Sequence, residues 1–197
     1  MALPLPDDSD APDDITLMLS VKRGDEEAFQ TLVERHQYRI VGTVAKMLGR
    51  ETDAEDIAQQ VFVRVWQSSS RYEPGAKFTT WLLTITRNLV FNEMRRRRRS
   101  KLVEMQTEED EERFAQHEDS TARSPSSLAQ NAELQNAIAD AIAALPESQR
   151  MAVILRRYEE LSYEEIAEVL KTSVPSVKSL LFRARTELKE RLKTFLG

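Results

Sequence analysis

Ser162-Tyr163-Glu164-Glu165-Ile166-Ala167-Glu168-Val169-Leu170 has the spacing of a short amphipathic helix, and Lys171-Thr172-Ser173-Val174 reads as a tight turn. Pro175-Ser176-Val177-Lys178-Ser179-Leu180-Leu181-Phe182-Arg183-Ala184-Arg185 opens a second helix. Ser162 with Glu165 makes a capping box for the first helix. Ser173 or Val174 takes the N-cap ahead of Pro175, whose missing N–H has no intrahelical partner at a helix start. Two helices joined this closely form a helix-turn-helix, whose second member enters the DNA major groove. In that second helix Val177, Leu180, Leu181, Ala184, Leu188 and Leu192 form an inward stripe. Ser176, Lys178, Ser179, Phe182, Arg183 and Lys189 are left facing outward. Arg and Lys donate to guanine O6 and N7, Ser reaches several base edges, and Phe touches a thymine methyl. An ordinary surface helix also carries solvated charges, but not this preceding helix, turn and pair of caps.

Working outward, almost every apolar pattern repeats with helical spacing and no strand signal survives, which predicts an all-α chain. The acidic start, residues 1–14, reads as disordered. A short amphipathic stretch from Ile15 stops near Gly24. Asp25 then caps a helix whose apolar residues Phe29, Leu32, Val33, Ile40, Val41, Val44 and Leu48 run to Gly49. Thr52 with Glu55 reads as a second capping box, opening a helix to about Gln67. The segment from Ser68 to Lys77, with Pro74-Gly75, has turn chemistry. A long helix follows from about Phe78 into Arg95-Arg96-Arg97-Arg98-Arg99. Residues 100–127 are acidic and poor in large apolar groups, a linker by composition. A second helical domain, residues 128–197, breaks at Pro146 and contains a helix from about Glu147 to Tyr158. The expectation is two small helical domains, 15–99 and 128–197, on an acidic tether.

The net charge of −5 conceals a segregation. Residues 1–27 carry two basic and eight acidic side chains, and residues 28–100 carry 13 and seven. Residues 101–130 carry three and eight, and the remainder ten of each. Positive charge is therefore local to the segment ending in the arginine run, as nucleic-acid contact requires. Cysteine is absent, which excludes disulfides, thiolate metal sites and a cysteine nucleophile. His36 and His117 lie in different segments, so no metal or other cofactor is expected. No apolar run reaches membrane-spanning length and the first residues are not a signal peptide, so a soluble cytoplasmic protein is expected.

Two further constellations stand out. In the long helix Phe78, Leu82, Ile85 and Leu89 read as a core stripe, and Trp81, Thr84, Asn88, Asn92 and Arg95 as an adjacent stripe of aromatic, amide and cation. Such a stripe suits strand separation, since aromatics stack on unpaired bases at roughly 1–3 kcal/mol each. Unstacking a base costs a few kcal/mol, a matching size. A buried tryptophan beside a basic helix end, stabilised by the helix dipole, fits the same residues. In Asp53-Ala54-Glu55-Asp56-Ile57-Ala58-Gln59-Gln60-Val61-Phe62-Val63-Arg64-Val65-Trp66-Gln67, the residues Ala54, Ile57, Ala58, Val61 and Val65 face a core. Asp53, Asp56, Gln60, Arg64 and Gln67 form the opposite stripe, which spacing alone assigns to a solvated face.

Taken in order, the three motifs resemble the extracytoplasmic-function (group IV) sigma factors of the sigma-70 family of bacterial RNA polymerase. The resemblance covers residues 25–99 and 128–195. It implies a region-2 domain in which Asp56, Gln59 and Gln60 dock on the clamp coiled coil of core polymerase. It further implies that the 78–99 helix, with Trp81 and Asn88, opens and reads the −10 element, and that the 68–77 loop receives a flipped base. Ser176, Lys178, Ser179, Phe182 and Arg183 then align with positions that read the −35 element. Here Gln60 stands where the family usually has Glu, and Pro175-Ser176 where it usually has Gly-Thr. The implied partners are core polymerase (clamp coiled coil and flap), promoter DNA and an anti-sigma protein, with no membrane insertion and no catalysis.

Sites two helical turns apart are separated by about 70 Å. A tether of about 28 residues coils to only about 30 Å but stretches to roughly 95 Å. Something must extend it, and the run Glu108-Glu109-Asp110-Glu111-Glu112 suits a basic nucleic-acid channel as a surrogate for RNA. Two alternatives belong to other classes. A stand-alone helix-turn-helix regulator, with an N-terminal sensing or dimerising domain, would bind duplex DNA tightly unaided. A nucleic-acid enzyme using Asp53, Glu55 and Asp56 as metal carboxylates would lose activity on chelation.

Overall fold

The computed structural model describes residues 12–49, 53–75, 77–107 and 127–196. Among these every regular element is helical. Residues 1–11 of the acidic start, Thr52 and the run from Glu108 to Glu112 lie outside the described residues, as does His117, while Asp13 caps the first helix and Asp14 opens it.

The first lobe comprises α1 (Asp14–Lys22), α2 (Glu26–Leu48), α3 (Ala54–Ser68), a 3-10 turn at Ser69–Arg71, and α4 (Phe78–Thr107). Its local causes are visible at each boundary. Asp25 accepts a hydrogen bond from the Ala28 N–H at 3.0 Å and starts α2. Gly49 ends it at φ 75°, a left-handed conformation that glycine adopts without strain. Asp53 also sits at positive φ (70°) before α3 and makes no capping bond. Its carboxylate is instead held by Arg97 of α4 at 2.5 Å. Asp14 of α1 receives Arg35 at 2.6 Å and His36 at 2.9 Å, tying α1 to α2.

Two core stripes differ from the sequence expectation. In α2, Leu32, Ile40 and Val44 are buried as expected, joined by His36, Thr43 and Met47. Phe29, Val33 and Val41 are only partly buried. In α4 the buried positions are Phe78, Thr80, Leu82, Leu83, Thr86, Val90 and Met94, while Ile85 and Leu89 are half-buried. Thr86 is admitted because its hydroxyl donates to the Leu82 carbonyl at 2.9 Å, which removes the cost of an unpaired hydroxyl. In α3 the expected residues Ala54, Ile57, Ala58, Val61 and Val65 are all buried.

The second lobe comprises α5 (Ser127–Ala143), α6 (Glu147–Arg157), α7 (Tyr163–Leu170), α8 (Val174–Arg191) and α9 (Lys193–Leu196). The long helix α4 continues through the arginine run to Thr107. The capping box before α7 is complete: Glu165 N–H donates to Ser162 Oγ at 3.1 Å and Ser162 N–H to Glu165 Oε2 at 2.7 Å. That N–H donor holds the Glu165 carboxyl below its usual range. Ser162→Ala is expected to cost about 1 kcal/mol, read by urea unfolding of the full chain. Ser173 caps α8 with Pro175 in its first turn.

The lobes pack together, α2 meeting α6 and α4 meeting α7. Glu159, at the end of α6, is buried between Arg39, 2.5 Å away, and the Thr43 hydroxyl, which donates to it. Lys46 lies 5.1 Å from the centre of the Tyr158 ring. The Arg87 guanidinium donates to the Leu170 carbonyl at the end of α7 (3.1 Å), and Lys77 pairs with Glu165 at 3.1 Å.

Candidate nucleic-acid and polymerase interfaces

In α8, Ser176, Lys178, Ser179, Phe182 and Arg183 are all exposed, and Val177 and Ala184 are fully buried beneath them. Leu180, Leu181, Leu188 and Leu192 are half-buried at the flanks of that stripe. Phe182 keeps 69% of its surface in water. An apolar ring held out from a helix beside Arg183 and Lys178 gains nothing from folding, and it matches a groove that offers methyls and acceptors. Arg183 donates to Ser179 Oγ at 2.9 Å, so the two side chains are oriented together before any ligand arrives.

On α4 the expected stripe runs from half-buried to exposed. Trp81, Thr84 and Asn88 are half-buried, whereas Asn92 and Arg95 are exposed. Trp81 packs edge-on to Tyr72 at 5.1 Å and lies 6.1 Å from Phe78. Its ring therefore helps close the first lobe as well as bordering the stripe. Asn88 Oδ1 accepts from Arg87 at 2.9 Å, and Thr84 donates to the Thr80 carbonyl at 2.9 Å.

The arginine run is not a uniform cation cluster. Arg96 and Arg97 hold Glu93, at 2.8 and 2.5 Å, while Arg97 also takes Asp53 and Arg98 takes Glu147 at 2.5 Å. Arg95 and Arg99 remain exposed. The hydrogen bond from Arg96, then that from Arg97, lowers the Glu93 carboxyl from 4.5 to about 2 against the opposing effect of burial. A depressed carboxylate contributes stability that is full above its unfolded value and lost as pH falls through its folded one. The wild type should therefore melt above Glu93→Gln at pH 6, with the gap closing between pH 4.5 and about 2. A gap independent of pH in thermal melts would contradict this pairing.

Between α2 and α3 lies an open apolar groove of about 830 Å³, lined by Phe29, Val33, Tyr38, Val41, Phe62, Val63 and Trp66. Gln37, Gln59 and Gln67 lie among its polar lining, with Glu26 and Glu55. Phe29 and Trp66 meet at 5.1 Å inside it, while Tyr38 and Val63 are 83% and 55% exposed. Of the three expected docking residues only Gln59 lines this groove. Asp56 borders a smaller hollow with Val41, Gly42 and Ala45, and Gln60 is exposed outside both. The groove was legible only in part. Tyr38, Val63 and Trp66 are large apolar residues off the core stripes of their helices, whereas Phe29, Val33 and Val41 share the spacing of the α2 core stripe. Among the described residues no group of three or more His, Cys, Asp or Glu could hold a metal, and Asp53 is occupied by Arg97.

The described residues form an all-helical pair of lobes, one bearing a basic helix and an apolar groove, the other a helix-turn-helix, which is the architecture of a DNA-binding class of protein. The family model of Sigma-70 region 2 matches residues 32–100, and that of Sigma-70, region 4 matches residues 135–188. The RNA polymerase sigma-H factor of Pseudomonas aeruginosa is 33% identical over 93% of this chain and 95% of its own length. The ECF RNA polymerase sigma factor SigW of Bacillus subtilis is 31% identical over 88% of this chain and 93% of its own. Among solved structures, RpoE in complex with the anti-sigma factor NepR from Bartonella quintana matches with a TM-score of 0.62 at 25% identity, covering 84% of this chain and 96% of that one. CnrH in complex with the cytosolic domain of CnrY shares the fold, at a TM-score of 0.66 and 24% identity, covering 92% and 97%. The chain belongs to the extracytoplasmic-function branch of the sigma-70 family of RNA polymerase sigma factors. The stand-alone regulator is not favoured.

Proposed function

We propose that three surfaces of this chain divide the work of a sigma factor. The α2–α3 groove, with Gln59 at its polar edge, receives the helical clamp coiled coil of core polymerase. Asp56 and Gln60 lie beyond that groove and would contact the partner at its margin. The stripe Trp81, Thr84, Asn88, Asn92 and Arg95 holds the unpaired −10 strand, and Ser176, Lys178, Ser179, Phe182 and Arg183 read the −35 duplex. The chain works as a non-enzymatic initiation factor in the cytoplasm, where its polymerase is. Among the described residues no helix is long and apolar enough to cross a membrane. An anti-sigma protein is a further partner, as it is for the RpoE relative. Residues 15–99 and 128–197 act as the two functional units.

The observation that carries this reading is α8, where exposed Phe182 stands between exposed Ser179 and Arg183 on a helix with a fully capped approach. In vitro transcription from a promoter library, with core polymerase and with or without this protein, tests it. Arg183→Ala should cost roughly 1–3 kcal/mol at one base position of the upstream element. Uniform weakening across the library would assign Arg183 to phosphate instead. Absence of any polymerase-dependent initiation would reject the division of labour.

A further inference from the structure

Lys22, in the last turn of α1, belongs to none of the surfaces described so far. It lines neither hollow beside α3 and sits on neither reading stripe. A lysine at a helix end ordinarily serves that helix's own carbonyls. Here the backbone closes the end instead: Arg23 N–H donates to the Ser20 carbonyl and Gly24 N–H to the Val21 carbonyl, both at 2.9 Å. The Lys22 ammonium donates to the Tyr72 carbonyl at 2.8 Å, 50 residues along the chain. α1 also precedes residues 32–100, which the Sigma-70 region 2 model matches.

Tyr72 needs that hold. It is 1% exposed, yet its hydroxyl is buried without a hydrogen-bond partner, so its polar end anchors nothing. Its N–H bonds within the turn, to the Ser69 carbonyl at 3.0 Å, and residues 73–75 beyond it are exposed. What ties Tyr72 to a distant element through a polar atom is the bond from Lys22. Trp81 rests on Tyr72, edge-on at 5.1 Å, with Phe78 as a second wall at 6.1 Å. α1 backs that second wall as well: Asp14 at its start holds His36 at 2.9 Å, and the His36 ring lies 5.4 Å from that of Phe78. Both ends of α1 thus reach the two rings that seat Trp81.

We infer that Lys22 is a positioning residue for capture of the unpaired −10 strand: its hold on the Tyr72 carbonyl fixes the seat of Trp81, and so the ring on which a base stacks. This rests on the reading of the Trp81 stripe given above. The bond from Lys22 to the seat does not. A charged donor on a carbonyl is stronger than a neutral one. The methylenes of a lysine stem pack independently of the ammonium they carry. Lys22→Met therefore takes away the bond and little else. Lys22→Arg keeps a charged donor there and should behave as wild type.

The chain has two tryptophans, so in a Trp66→Phe background Trp81 alone emits. In the free full-length protein Lys22→Met should raise acrylamide quenching of Trp81 about twofold, as a locally loosened segment would. Lys22→Arg should leave it unchanged. With Trp66 intact, and with core polymerase on a promoter that the wild type transcribes, 2-aminopurine in the −10 element reports strand opening. A base stacked on an aromatic gains about fivefold or more, so Lys22→Met should slow opening about fivefold and leave affinity for core polymerase unchanged. Trp81→Ala should slow opening too, and adding Lys22→Met to it should cost nothing further, since residues acting through one another are not additive. A merely structural role would not depend on Trp81.

Unchanged quenching in Lys22→Met overturns the positioning, and that measurement needs neither polymerase nor Trp81→Ala. Raised quenching with wild-type opening overturns the role in capture. So does a slowed opening that adds in full to that of Trp81→Ala, or one that Lys22→Arg does not restore. A Trp81→Ala protein that folds by circular dichroism and opens promoters at the wild-type rate rejects the stripe itself, and with it the role of Lys22 in capture, while quenching still reads the hold of Lys22 on the seat.

Discussion

Val63→Glu should abolish association with core polymerase, raising the dissociation constant at least 100-fold, with no change in circular dichroism or melting. Val63 is 55% exposed on α3 and outside the buried core, so the carboxylate can stay hydrated in the free protein. The substitution places a carboxylate in a groove walled by Phe29, Val33, Phe62 and Trp66. An unpaired charge carried into an apolar interface loses its hydration without a compensating partner, a penalty of several kcal/mol. Every 1.4 kcal/mol is a factor of ten in affinity, so two decades is a conservative expectation. Val63→Ala, which removes two methyls and adds no charge, should weaken association far less. The measurement is titration of labelled protein against core polymerase. Unimpaired binding by Val63→Glu would move the docking surface elsewhere, with the exposed edge of Asp56 and Gln60 the next candidate.

Ile166→Ala should lower stability by about 2–5 kcal/mol, out of a total that for a domain is about 5–15 kcal/mol. Ile166 is wholly buried in α7 and belongs to a cluster with Met151, Ile154 and Leu155 of α6 and Val177 of α8. The cost has two parts: lost transfer of the side chain from water and the void left behind, since helices pinned by a capping box and by Pro175 relax little. Because Ile166 sets how α7 supports α8, discrimination at the −35 element should fall before polymerase binding does. Urea unfolding gives the first quantity and library transcription the second. A loss below 1 kcal/mol would mean that the second lobe repacks freely around α7.

The helices, several of their ends and the helix-turn-helix were legible because their causes are local. A capping serine acts over three residues, Gly49 stops a helix by its own dihedral freedom, and apolar spacing repeats within a few turns. The outward set of α8 was legible for the same reason: a helix of known period with one small-residue stripe leaves a single face for Ser176 to Arg183. Thr86 shows where periodicity fails, since a hydroxyl enters the core when it can donate to the carbonyl four residues before it.

Sequence alone therefore determined the helical content, the two-lobed plan and the outward face of α8, because each follows from short-range hydrogen bonding and hydrophobic period. Tertiary structure decided which apolar residues were surplus to the core and met as a groove, and which of five arginines were already spent on Glu93, Asp53 and Glu147. It alone set Glu159 against Arg39, 120 residues away in the chain. Burial and charge pairing are properties of packed neighbours, and no local pattern encodes which neighbours those will be.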